Sequence, residues 1–216
     1  MSTNPSPAPS RPSWVQLVVV ALCVVVVDQI TKFEAVKHLT YAFDHAHTAT
    51  LGDEVRAFLH ARHLTGEVKP PYFAEVIPHF WSNRYAENPG AAWSLLASQP
   101  ESIRVPFFHV VSLLAIGLIA VYYSRLRSDQ KLLGMALCLV MGGAVGNLID
   151  RVIRGYVIDF IDWHLNDPDW HTRWHWPTFN VADTGISIGV GLIALDTLLV
   201  WWESRKTQGA PASADV

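Results

Sequence analysis

Two aspartates carry the chemistry open to this chain. Asp159 sits in Gly155-Tyr156-Val157-Ile158-Asp159-Phe160, and Asp183 sits in Phe179-Asn180-Val181-Ala182-Asp183. Each lies in a mostly apolar setting beside a hydrophobic segment of membrane length. A carboxylate is expensive there and marks a functional site. Two carboxylates that meet in such a place cannot both ionise easily and share one proton, the device of aspartic proteases. The ionised member takes a proton from water. The protonated member polarises a carbonyl and then protonates the leaving amine. Either aspartate can fill either role, and the chemistry needs neither metal nor cofactor.

The elements that position this pair are read from composition. Of 216 residues, 50% are apolar and only 16% charged, against about 25% charged in soluble domains. A net charge of -3 with no basic stripe argues against nucleic acid as a partner. Crossing a bilayer takes roughly 20 apolar residues, and four segments qualify: Trp14 to Phe33, Val105 to Tyr123, Leu132 to Ile149, and Thr184 to Trp202. The expected fold is an all-α membrane protein, one four-span domain over residues 14–206. The Pro/Ser-rich residues 1–13 and the tail 207–216 read as disordered. Cys23 and Cys138 both lie in apolar runs and read as buried thiols with no disulfide. The first segment has the Arg11 and apolar run of a secretory leader. No small-x-small cleavage site follows it, and Leu22 before Cys23 is not the small residue that lipid attachment wants, so it reads as a retained span.

Lys and Arg in short loops set orientation. Arg11, then Arg125, Arg127 and Lys131, then Arg205 and Lys206 fall on one side, which predicts both termini in the cytoplasm; Arg151, Arg154 and Arg173 oppose this. In that topology Asp28 and Lys32 end the first span at its outer end. Asn147, Asp150 and Arg151 end the third there, and Asn180 and Asp183 open the fourth there. Three helices thus bring polar residues to one membrane face. Capping and salt bridges are the plainer role for Asp28, Lys32, Asp150 and Arg151. Asp196, roughly 20 Å along a helix from Asp183, lies outside the cluster. Gly142 and Gly146, and Gly185 and Gly189, at spacings of four, predict close packing of the third and fourth spans.

The two outer links carry the rest. Glu75 to Tyr85 looks strand-like, Asn88-Pro89-Gly90 is a turn signal, and Ala91 to Leu96 suits a short interfacial helix, so a small extramembrane sheet is expected on the bilayer. Tyr41 to Tyr72 holds His45, His47, His60 and His63 and reads as a solvated polar insert. Trp163, Trp170, Trp174 and Trp176, interleaved with His164, His171 and His175, read as an interfacial wall. In the insert His60 and His63 could share a helix face and bind a metal, the solvated reading being the plainer one; among the later histidines no ligand spacing recommends zinc.

Five blocks, taken together, resemble the lipoprotein signal peptidase family, also called signal peptidase II. They are Asp28-Gln29-Ile30-Thr31-Lys32, Asn88-Pro89-Gly90-Ala91-Ala92-Trp93-Ser94, Gly143 to Arg151, Gly155 with Val157-Ile158-Asp159-Phe160, and Phe179 to Asp183. Each block alone is weak; all five in order on four spans are specific. The resemblance implies an aspartic endopeptidase of the bacterial inner membrane, inhibited by globomycin. It would cut diacylated prolipoproteins before the lipid-bearing cysteine. Asp159 and Asp183 match the catalytic pair. Asn147, Asp150, Arg151 and Asn180 match supporting positions, and Asp28, Lys32 and Asn88, with Gly90 in the same block, match positions near the substrate. No metal or cofactor is implied, the partners are prolipoproteins and membrane lipid, and a monomer is expected. The family's small periplasmic sheet and short helix over the site agree with the reading of the first outer link. Trp93 stands where the family usually has Phe. The insert 41–72 is longer than the usual link, and since no family block lies in it, its deletion is expected to spare catalysis. Zinc (His-Glu-x-x-His), Gly-x-Ser-Gly and Gly-x-Gly-Asp protease motifs are absent. The alternative is a non-enzymatic small transporter or assembly factor, disfavoured by the lack of an internal repeat.

Overall fold

The computed structural model describes residues 12–90, 98–165 and 174–208. The chain runs through α1 (Trp14–Leu39), the short helices α2 (Ala42–His45) and α3 (Leu51–His60), a 3₁₀ turn (Leu64–Glu67), strands β1 (Ala74–Ile77) and β2 (Trp81–Asn88), helices α4 (Glu101–Arg125) and α5 (Lys131–Arg154), strand β3 (Val157–Trp163), and α6 (Val181–Gln208). The helices α1, α4, α5 and α6 are long and apolar enough to cross a membrane. Their outward surfaces are Val, Leu and Ile, among them Val15, Val18, Leu118 and Leu198, the composition that lipid contact selects. Cys23 also faces outward, against the expectation that it is buried; Cys138 is buried, and both are free thiols.

Helix α5 is the hub and packs against α1, α4 and α6. Its glycines set the spacing. A Cβ on Gly143 would collide with the Ala182 carbonyl at the start of α6, and one on Gly146 would stand 2.9 Å from the Asp28 carboxylate. Gly142, by contrast, faces Ala21 and Val24 of α1. The expected small-residue seam therefore serves two neighbours of α5, not one. Gly155 ends the helix at φ +81, a left-handed position open to glycine at little cost, and the chain turns at once into β3.

The strands form one antiparallel sheet in the order β1-β2-β3. Asn88 pairs with Val157, Glu87 with Ile158 and Ala86 with Asp159, and the register slips between Asn83 and Ala86. The strand-like reading of the first link corresponds to β1 and β2. The third strand was not expected. Val157–Trp163 is buried on both faces except at Trp163, so it lacks the alternation that reveals a half-exposed strand. Phe179 pairs with Ile161 on its far side, which brings the N-terminus of α6 against β3. The short helix expected over Ala91 to Leu96, with Trp93, lies outside the described residues, as do Trp170 and His171.

The insert is not solvated throughout. Phe43, Phe58 and Leu64 share a buried core with Ala35, Val36 and Leu39 of α1, Tyr85 of β2, and Tyr156, Ile158 and Phe160. That core is why α1 runs past Phe33 to Leu39. Asp28 and Lys32 accordingly lie within the helix, not at its end.

Candidate active site

Asp159 stands mid-strand on β3, on the opposite pleat from Ile158 and Phe160. Asp183 stands in the first turn of α6. Asn180 precedes that helix and forms a reciprocal cap with it: the Asp183 N–H donates to Asn180 Oδ1 (2.9 Å), and the Asn180 N–H donates to Asp183 Oδ2 (3.3 Å). This is the capping-box pattern with Asn and Asp in the two roles. The helix start and the acidic side chain are thus one local structure.

Two amides join the carboxylates. Asn180 Nδ2 donates to Asp159 Oδ1 (2.7 Å) and reaches Asn147 Oδ1 (3.2 Å) and the Ile158 carbonyl (3.2 Å). Asn147 Nδ2 donates to Asp183 Oδ1 (2.8 Å). Asn88 Nδ2, from β2, donates to Asp159 Oδ2 (3.0 Å), and its own oxygen accepts from the Gly90 N–H (3.1 Å). Arg151 lies over the Phe108 ring at 5.2 Å and reaches the carbonyls of Asn147 and Gly90 at 3.4 Å. It lies within electrostatic reach of Asp183 and Asp159. Burial, reinforced by the charge of Asp183, pushes the Asp159 carboxyl up to about 8; the Asn88 and Asn180 hydrogen bonds oppose this without cancelling it.

Behind the pair sits a second cluster. Lys32 Nζ bridges Asp28 Oδ2 (2.8 Å) and Asp150 Oδ2 (2.7 Å), all three fully buried, and also reaches Asn147 Oδ1 (3.3 Å). Asp28 Oδ1 accepts the Ala182 N–H (2.9 Å), capping α6 from another helix, and Asp150 Oδ2 accepts the Ile158 N–H (3.1 Å). All ten residues read from the sequence therefore converge. The supporting charges do cap and pair, but the arginine paired with Asp150, beside Lys32, is Arg154 (3.1 Å), not Arg151. Gln29, which donates to Asp28, Asp150 and the Gly146 carbonyl, and Arg154 were both missed. The i,i+4 spacing of Asp150 and Arg154 was the available signal. Among the described residues no three His, Cys, Asp or Glu side chains converge to hold a metal.

The pair opens on a cleft of about 1450 Å³. Asn88, Asn147, Arg151, Asp159 and Asp183 line its polar end. Phe108, Val111, Ala115, Ala144, Ile186 and Ile188 line the wall formed by α4, α5 and α6. Trp163 and Trp176 stand beside it.

The profile of the signal peptidase II family matches residues 20–199. A lipoprotein signal peptidase of Anaeromyxobacter sp. (strain Fw109-5) is 45% identical over 183 residues, 84% of each chain. One of Geobacter sulfurreducens is 50% identical over 131 residues, 61% of this chain and 76% of that protein. A solved bacterial membrane enzyme superposes with a TM-score of 0.60 at 25% identity, covering 97% of this chain and 99% of its own. These matches leave the transporter or assembly-factor alternative without support. The converging motifs, the four-helix frame and a profile match over most of the chain agree: this protein belongs to the signal peptidase II family.

Proposed function

We propose that this signal peptidase is an aspartic endopeptidase that cuts diacylated prolipoproteins just before the lipid-bearing cysteine, with Asp159 and Asp183 as its dyad. The observation that carries the reading is the amide bridge: Asn147 and Asn180 hold the two carboxylates side by side at the polar end of an apolar cleft. Acyl chains suit the apolar wall, which leaves the scissile bond at the carboxylates. The names of the relatives support the substrate class.

In the proposed mechanism Asp183 is ionised and Asp159 carries the shared proton. Asp183 takes a proton from water as its oxygen attacks the scissile carbonyl carbon, and Asp159 gives its proton to the carbonyl oxygen. In the second half Asp183 passes its proton to the amide nitrogen, the C–N bond breaks, and Asp159 regains a proton from the collapsing diol. Protons balance, and the dyad returns to its first state. The raised Asp159 carboxyl supports this assignment of roles.

The chain sits in the inner membrane as a monomer embedded in lipid, with both termini cytoplasmic and the dyad at the periplasmic face. Of the three arginines that oppose this orientation, Arg154 is consumed by Asp150 and Arg151 lies in the site. At the other end Arg205 and Lys206 lie over Trp201 and Trp202, an interfacial pattern.

The test uses purified variants, a diacylated prolipoprotein and a gel shift for the released signal peptide. Asp159→Asn and Asp183→Asn each lose nearly all turnover, because general acid-base groups contribute about 10²- to 10⁴-fold and members of one unit are not additive. Asp196→Asn keeps substantial activity. Wild-type turnover persists in EDTA. Near-normal turnover in either dyad variant, or loss to EDTA, overturns the reading.

A further inference from the structure

We propose that the insert Tyr41–Tyr72 is a clamp that positions the catalytic strand, acting through Arg154, Tyr156 and Glu87; this rests on the aspartyl-dyad reading. The insert is built to be stiff. Its base is closed by the Tyr41 N–H donating to the Glu67 carbonyl (2.8 Å) and the Lys69 N–H donating to the Leu39 carbonyl (2.9 Å). Helix α3 starts with a capping box of Thr50 and Asp53 and is tied to α1 by Lys37 and Glu54 (2.8 Å).

Three contacts then leave the insert, and each lands one to four residues from a group that holds the dyad. The first is at the end of α3. Phe58 is among its last residues, so its carbonyl has no helical partner. Arg154 Nη2 donates to it at 2.8 Å, and the guanidinium lies 4.2 Å from the Phe58 ring. Arg154 is 1% exposed, so a cation caps the negative end of the helix out of water, where such a contact is strongest. Its other nitrogen, Nη1, donates to Asp150, and Asp150 accepts the Ile158 N–H beside Asp159. The second contact is the His63 N–H to the Tyr156 hydroxyl (3.1 Å), just before β3. The third is the Leu64 N–H to the Glu87 carboxylate. Glu87 pairs with Ile158 across the sheet and precedes Asn88, the donor to Asp159 Oδ2.

Asp159 and Asn88 are therefore held from behind by one appended unit. Ile158 and Phe160 belong to the core shared with that unit, Val157 and Asp159 line the cleft, and Ile161 belongs to both. On this proposal removing the insert impairs catalysis, against the expectation from the sequence that its deletion leaves catalysis largely intact. A displacement of about 1 Å at a reacting group can cost about 10²-fold in rate, and the insert shares that face of β3 with Ala35, Val36 and Leu39 of α1.

Full-length Arg154→Met, Arg154→Lys and Tyr156→Phe, assayed on a diacylated prolipoprotein per mole of folded protein, test this. Arg154→Met should lower kcat by about 10- to 100-fold with KM little changed, since the substrate does not touch Arg154. Arg154→Lys, which keeps a donor for Asp150, should recover part of that loss. Tyr156→Phe, which removes one oxygen, should lower kcat several-fold and keeps the test decisive if Arg154→Met does not fold. Wild-type kcat in folded Arg154→Met and Tyr156→Phe, or a rise in KM alone, or a Lys variant no better than Met, overturns the clamp. Asp159→Asn is run alongside. If it turns over, the dyad reading falls whatever Arg154 does; if it is inert while the Arg154 and Tyr156 variants match wild type, only the clamp falls.

Discussion

Asp159→Asn should abolish turnover and, at pH 8, make the protein more stable. In the folded state burial and the neighbouring Asp183 push the Asp159 carboxyl from 3.8 up to about 8. Between those values the folded protein keeps a proton that the unfolded chain has released. Relative stability is therefore fully present below pH 4 and is lost as pH climbs through about 8. One pKa unit is about 1.4 kcal/mol, so ionising Asp159 in the folded state costs at most about 6 kcal/mol. Asparagine removes that cost. It also turns an amide donor toward Asn88 Nδ2 or Asn180 Nδ2, both of which donate to the native carboxylate; an unsatisfied buried donor costs about 1–3 kcal/mol. The variant should thus melt below wild type at pH 4 and above it at pH 8. A net gain of about 2 kcal/mol at pH 8 corresponds to about 4–8 °C in Tm for a chain of this size. The assay is thermal unfolding of both proteins in one detergent from pH 4 to 9. A difference independent of pH, or a wild type that gains on the variant as pH rises, refutes a strained, proton-sharing Asp159.

Two further outcomes follow from the same contacts. Lys32→Met leaves Asp28 and Asp150 buried without their shared cation, so it should destabilise the fold by about 3–5 kcal/mol, read as a lower Tm or as loss of folded protein. Ser128→Cys, in the link between α4 and α5, should resist an impermeant thiol reagent in intact cells while a cysteine at an exposed insert position such as Gly52 reacts; equal labelling rates would reverse the membrane orientation.

What the sequence made legible follows the range of each interaction. The four spans were readable because hydrophobic length is a local property. Asn180 and Asp183 were readable because a cap and its helix lie within one turn. Asp159 was flagged by its apolar flanks, but its strand was not, because burial on both faces erases the period-two pattern and its partner Asn88 lies 71 residues away. Arg154 read as a loop cation opposing the topology, although its charge is spent on Asp150 and the end of α3. The docking of the insert was invisible for a related reason. Phe43, Phe58 and Leu64 are spread over three short elements, and the core they join is supplied by α1, β2 and β3. The spacing of four that joins Gly142 to Gly146 likewise could not show that Gly142 faces α1 while Gly146 faces Asp28 and Ala182.

The two charge systems of this site are built on opposite rules, and the contrast explains how one scaffold holds both. In the supporting cluster two carboxylates, Asp28 and Asp150, meet two cations, Lys32 and Arg154, so the buried charges cancel and every carboxylate oxygen has a partner. Such a group is costly to break, which suits a frame. In the proposed dyad two carboxylates accept from neutral amides, with the Arg151 cation in electrostatic reach, so part of their repulsion is left standing and is relieved by one proton. The frame also separates the two acids. Asp183 stands in the first turn of α6, where the aligned N–H groups stabilise negative charge, while Asp159 stands 1% exposed on a strand that offers no such field. The proposed mechanism places the negative charge at the helix start and the proton on the strand, the division of labour that water attack and carbonyl polarisation require.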